Sequence, residues 1–80
     1  MEGETLLVTG GTGSFGKAFI KRVLKENPRK VIVFSRDEAK QHAMRLEFDD
    51  SRLQFEIGDV RDRERVFKVM RKVNYVFHAA

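Results

Sequence analysis

Thr9-Gly10-Gly11-Thr12-Gly13-Ser14-Phe15-Gly16 decides how this chain is read. It follows an apolar run, Thr5-Leu6-Leu7-Val8, and opens a segment of helical periodicity. A strand passing through a glycine-rich turn into a helix N-terminus makes an anion site. Backbone N–H groups point outward there, the helix dipole favours negative charge, and missing side chains let a phosphate reach the main chain. The spacing Gly11-x-Gly13-x-x-Gly16 is a dinucleotide fingerprint, and Gly10-x-x-Gly13-x-x-Gly16 satisfies a related variant. With six glycines in the chain the pattern alone is weak. Its place between strand and helix gives it force.

Outward from the loop, β-type runs at 5–9, 30–34, 53–57 and 74–78 alternate with helical runs at 14–27, 37–48 and 62–73. Val31-Ile32-Val33-Phe34 is continuously apolar, as a parallel strand covered on both faces requires. Phe15, Ala18, Phe19, Val23 and Leu24 share a face of the first helical run, which stops at Asn27-Pro28 because a residue before proline avoids the α region. Ala39, Ala43 and Leu46 are expected to form the inner face of the second. Val66, Phe67, Met70 and Val73 do so in the third, with Asp62 as its N-cap. The alternation predicts right-handed βαβ crossovers and an α/β fold. The expectation is half of a Rossmann-like doubly wound fold: a four-stranded parallel sheet in the order 3-2-1-4 with three helices. Without repeats or linkers, residues 1–80 read as one half-domain. Its fourth strand would be an apolar sheet edge, so self-association through that strand or low stability is expected.

Bulk properties narrow the function. Eighty residues suffice for one small domain. Without cysteine there are neither disulfides nor thiolate metal sites, and no metal site is expected. No signal-peptide pattern and no run of membrane-spanning length is present, so the expectation is a cytoplasmic protein without a membrane partner. The net charge of +4, with Lys17, Lys21, Arg22 and Lys25 along the first helix, raises the question of nucleic acid. Neither an aromatic platform, zinc spacing nor a helix-turn-helix pattern accompanies it. A solvated helix face and a phosphate-bearing small ligand explain the charge better.

A dinucleotide site also needs a group at the end of the second strand to read the adenosine ribose. There stand Ser35-Arg36-Asp37-Glu38-Ala39-Lys40. An acid directly at the strand end would suit the hydroxyls of NAD. A hydroxyl, a guanidinium and an ammonium instead suit a 2′-phosphate, so NADP is expected ahead of NAD. Asp37 is then better read as the N-cap of the second helix, a contact with the ribose being open to it as well; the alternative is that Ser35-Arg36-Asp37 does no more than start that helix. At the third strand end, Asp59 could accept from the adenine amino group while Val60 packs on the ring or bonds to it through its backbone; a plain turn is the alternative for Asp59. Ala79 and Ala80, after the fourth strand, are small enough for a cofactor to lie against the backbone. His78 reads as structural and His42 as solvent-facing.

Thr9 to Lys17, Ser35-Arg36-Asp37-Glu38, Gly58-Asp59-Val60-Arg61-Asp62 and His78-Ala79-Ala80 together resemble an extended short-chain dehydrogenase/reductase. More narrowly, they resemble the nucleotide-sugar 4,6-dehydratases of polysaccharide and flagellin-sugar biosynthesis, of the inverting UDP-N-acetylglucosamine type. The resemblance runs through the whole chain. It implies NADP held tightly by Gly11 to Ser14, by Ser35 to Lys40, by Asp59 and Val60, and by Ala79; with the rest of the loop, Gly10, Phe15 and Gly16, and with Ala80, these are the expected cofactor-binding residues. It also implies a lyase reaction in which hydride leaves C4 of the sugar, water is eliminated across C5 and C6, and hydride returns to C6.

The chain departs from that family in its chemistry. Such enzymes carry a Tyr-x-x-x-Lys pair and acid residues beyond the fourth strand. Here the one tyrosine, Tyr75, lies in a predicted strand with Ala79 four residues on. General acid–base work needs a titratable group positioned against substrate, and no such pair is present, so no residue is assigned a catalytic role. The expectation is an N-terminal cofactor-binding portion that does not turn over sugar nucleotides by itself. The alternatives are an NAD-binding portion of another epimerase or reductase, and a folding module with little cofactor affinity.

Overall fold

In the computed structural model, which describes residues 2–79, the chain runs β1 (Thr5–Thr9), α1 (Ser14–Leu24), β2 (Lys30–Ser35), α2 (Glu38–Phe48), β3 (Leu53–Ile57), α3 (Arg63–Val69) and β4 (Tyr75–His78). The strands form one parallel sheet in the order β3-β2-β1-β4, as the alternation predicts. β1 lies between β2 and β4, with Val8 opposite both Val33 and Phe77. The reversal of strand order therefore falls at the C-terminal end of β1, where the glycine loop begins.

Burial follows the pleat. Leu6 and Val8 of β1 and Val31 and Val33 of β2 face α1 and α2, where Ile20, Val23 and Met44 complete a buried cluster. Leu7, Ile32 and Phe34 point to the opposite side and pack with Val69 of α3. The continuous apolar run of β2 is thus explained: its two faces serve two cores. Fully burying each such side chain contributes about 1.5–3 kcal/mol, so the first cluster carries most of the stabilisation. Phe19 extends it to the sheet edge by stacking on Phe77, ring centroids 3.8 Å apart.

Several boundaries and faces differ from expectation. α1 ends at Leu24, three residues before Asn27, because Asn27 takes a left-handed conformation (φ 55°) and its carbonyl accepts from Gly3 N at 3.0 Å. α3 ends at Val69, with Lys72 left-handed at φ 64° turning the chain toward β4. β2 runs one residue longer, to Ser35. β4 starts at Tyr75 because Asn74 bridges to β1, its Oδ1 accepting from Thr5 N and its N–H donating to Thr5 O. On α1 the buried positions are Gly16, Ile20 and Val23, while Phe15 is exposed. On α2 the expected apolar face is wrong: Ala39, Ala43 and Leu46 are exposed and Gln41 and Met44 are buried. On α3 Val69 is buried, Val66 and Val73 are half-buried, and Phe67 and Met70 face out. Among the described residues, no helix is long and apolar enough to cross a membrane.

Candidate cofactor site

The glycine loop is shaped by three different demands. Gly10 adopts φ 67°, a left-handed conformation, and its N–H donates to Phe34 O at 2.9 Å. Gly16 meets Gly11: a Cβ on Gly16 would lie 2.5 Å from the Gly11 Cα. That contact lets the first turn of α1 settle on the loop, directly beyond β1. Gly13, the N-cap, is exposed with an ordinary φ of −79°, and a Cβ there would meet nothing within 4 Å.

The three helix starts differ. Asp37 Oδ1 accepts from Lys40 N at 3.0 Å, and Asp62 Oδ1 accepts from Arg65 N at 3.2 Å, so both expected N-caps are formed. α1 starts without a side-chain cap and without an acid in its first turn. Its outermost N–H groups are left to whatever lies in front of them.

Beside the loop lies an open cleft of about 810 Å³ across the C-terminal ends of all four strands. Gly10 and Thr12 line it from the loop, Ser35, Arg36, Asp37 and Glu38 from the β2 end, and Asp59 and Val60 from the β3 end. Gly11 and Gly16 are buried behind the loop, whereas Gly13, Ser14 and Phe15 are exposed at the helix start, next to the cleft lining but not in it. Phe15 leans on Phe77, centroids 6.0 Å apart. Ala39 and Lys40 are exposed on α2, outside the cleft lining. Ala79 is half-buried at the sheet end, its N–H donating to Thr9 O at 2.8 Å. Ala80 lies outside the described residues.

Four lining residues were not among the expected site residues: Phe34, Gly58, Arg61 and His78. Each sits at or just past a strand end, and that position is the signal that could have found them. Gly58 is required by packing, since a Cβ would stand 2.6 Å from the buried Phe34 ring. His78 Nδ1 and Thr9 Oγ1 are hydrogen-bonded, tying β4 to β1 beneath the cleft, in keeping with a structural role for this histidine.

The cleft has a charged rim. Arg61 holds Asp59 with Nη2 to Oδ2 at 2.7 Å, Nε to Oδ1 at 3.1 Å and its own backbone N–H to Oδ1 at 2.9 Å. Arg36 Nη1 stands 3.6 Å from the same carboxylate. The Arg61 hydrogen bonds hold the Asp59 carboxyl well below the usual carboxylate range, with Arg36 adding a smaller pull. Asp59 is therefore an anion sharing two cations. Both guanidiniums are about three-quarters exposed, so these pairs are screened and can exchange for another anion. Gln41, buried in α2, was also missed: its Nε2 donates to Ser35 Oγ and to Glu56 O, each at 2.9 Å. Among the described residues no cluster of His, Asp or Glu is arranged to hold a metal ion.

Comparison with known proteins matches this arrangement. Residues 6–80 fit the family model described as polysaccharide biosynthesis protein. The chain is 52% identical to a UDP-N-acetylglucosamine 4,6-dehydratase (inverting) of Campylobacter jejuni, over 98% of this chain and 24% of that protein. It is 49% identical to a UDP-glucose 4-epimerase of Rickettsia prowazekii, over 96% and 24%. The solved structure of Pen from Bacillus thuringiensis superposes with a TM-score of 0.95 at 42% identity, over 99% of this chain and 25% of that one. Two further structures share the fold at 22% identity. One is a yeast methylglyoxal/isovaleraldehyde reductase complexed with NADPH (TM-score 0.80, covering 95% and 24%). The other is the Bordetella bronchiseptica enzyme WbmF in complex with NAD+ and UDP (0.77, covering 99% and 23%). The chain spans about a quarter of the length of the curated relatives it matches. With its sheet order, its glycine loop and a family match over nearly its whole length, the chain belongs to the polysaccharide biosynthesis protein family.

Proposed function

We propose that this chain holds the adenosine half of NADP for an enzyme of the nucleotide-sugar 4,6-dehydratase type, residues 1–80 being the first half of its cofactor domain. The pyrophosphate lies against the α1 start and the loop from Gly10 to Gly16. Ser35 and Arg36, joined by Lys40, take the 2′-phosphate, while Asp37, Glu38 and Ala39 flank them. Asp59 and Val60 receive the adenine, and the small side chain of Ala79, like that of Ala80 next in the sequence, suits a cofactor lying against the backbone. Bound NADP supplies a hydride acceptor and donor, which in the resembled family serves the elimination of water from the sugar.

One observation carries the reading. Gly11 and Gly16 are explained by the packing of the chain on itself, but Gly13 is not: its backbone is ordinary and its surroundings are empty. A ligand phosphate drawn against the uncapped helix start accounts for a glycine there. The charge at the β2 end then favours NADP, because Arg36 is free to leave Asp59 for a phosphate, to which it can bond in bidentate fashion.

Isothermal titration with NADP and with NAD tests this. NADP is expected to bind more tightly, and Arg36→Ala to bring its affinity down to that of NAD. Equal affinity for the two, or binding of neither, overturns the reading. Tighter binding of NAD would support the second reading, an epimerase-type site, which the similarity to UDP-glucose 4-epimerases favours.

A further inference from the structure

Gln41 is 3% exposed, on a helix whose other buried side chain is Met44, and it contributes nothing to the cleft surface. We propose that Gln41 is a positioning residue that sets selectivity for a 2′-phosphorylated adenosine, by holding the Ser35 hydroxyl as a hydrogen-bond donor toward the cleft. This rests on the reading of the cleft as an NADP site.

The orientation of the amide follows from its partners. Gln41 Nε2 lies 2.9 Å from Glu56 O and 3.5 Å from Ser35 O, and carbonyl oxygens only accept. The nitrogen, not the oxygen, must therefore face them. The same nitrogen is 2.9 Å from Ser35 Oγ, so that oxygen is an acceptor in this contact. A hydroxyl has one hydrogen, and Gln41 cannot receive it through its nitrogen. The Ser35 O–H is left to point elsewhere, and Ser35 lines the cleft next to Arg36. Ser35 is itself pinned, its carbonyl accepting from Gly58 N at 2.9 Å. A donor so placed suits a ligand group that can only accept. A phosphate monoester carries most of two negative charges near pH 7 and offers acceptor oxygens, and its hydrogen bonds are charge-assisted. A free ribose 2′-hydroxyl gains no such assistance from the same donor.

The test uses adenosine 2′,5′-bisphosphate and 5′-AMP as probes, titrated into the full chain and into Gln41→Met, Ser35→Ala and the double variant. Methionine keeps the length and helix propensity of glutamine without its amide. Gln41→Met is expected to lose about tenfold in affinity for the bisphosphate, the scale of one hydrogen bond to a charged group, with 5′-AMP binding unchanged. Ser35→Ala should lose the same, and the double variant no more than either single one. A purely structural role would weaken both probes together and overturn the proposal, as would a Gln41→Met that keeps the preference. Should circular dichroism show Gln41→Met unfolded, Ser35→Ala decides: loss of the preference supports the donor role and retention overturns it. A native chain that does not prefer the bisphosphate overturns the NADP reading itself, which is a different result from preference kept in the variants.

Discussion

Gly13 and Gly16, three residues apart in one loop, should respond in opposite ways to a side chain. At Gly16 a methyl group has nowhere to go, since the Gly11 backbone stands 2.5 Å from the ideal Cβ position. Gly16→Ala must push α1 off the loop, and a cost of about 1–3 kcal/mol is expected in urea unfolding. At Gly13 there is room, and serine is a better N-cap than glycine by a few tenths of a kcal/mol. Gly13→Ser should therefore leave stability equal or slightly raised. Its hydroxyl would bond the N–H groups that a phosphate needs, so nucleotide affinity should fall at least about tenfold, an order expected from losing a charge-assisted hydrogen bond. A Gly13→Ser chain that binds nucleotide like the native one would remove the main support for the loop as a phosphate site. The sequence pattern displays all these glycines alike. Which of them serves packing and which faces a ligand depends on distances that only the folded backbone provides.

At the scale of elements, the strands were legible and the helix faces were not. β2 announces itself through Val31-Ile32-Val33-Phe34, because a strand buried on both sides has no polar alternation to obscure it. α2 misleads because its inner face carries a polar residue. Apolar spacing selects Ala39, Ala43 and Leu46, yet the helix turns Gln41 and Met44 inward, and the hydrogen bonds of Gln41 to Ser35 and Glu56 offset the cost of burying an amide. No periodicity rule anticipates partners on two other elements. The caps, by contrast, depend on local chemistry and were readable: Asp37 and Asp62 both serve as expected. Asp37 fixes where α2 begins, immediately after Ser35 and Arg36. Asp37→Ala is expected to cost about 1 kcal/mol of stability, measured by denaturant unfolding. A change below a few tenths would mean that α2 is held by its packing alone.

At the scale of the whole molecule, the two faces of the sheet are unequal. The α1 and α2 side buries seven residues in one cluster; the α3 side buries four. Around the weaker face, Phe67 is 70% exposed and Val76 51% exposed, with Met70 also facing out. Val76 pairs with Leu7 and so shares its face of the sheet. β4 pairs with β1, and among the described residues no strand lies on its other side. The alternation of strands and helices was enough to anticipate the sheet order, and with it this edge. An unpaired parallel edge flanked by exposed apolar side chains is a template for another chain. The eighty-residue chain is accordingly expected to sediment as a dimer or larger species at micromolar concentration. Val76→Lys puts a charge on the edge strand, outside the cleft lining, and should shift the distribution toward monomer while leaving the chain able to bind nucleotide. A native chain that is monomeric throughout the concentration series would show that the edge is protected by its own twist and flanking charges, and would overturn the expectation.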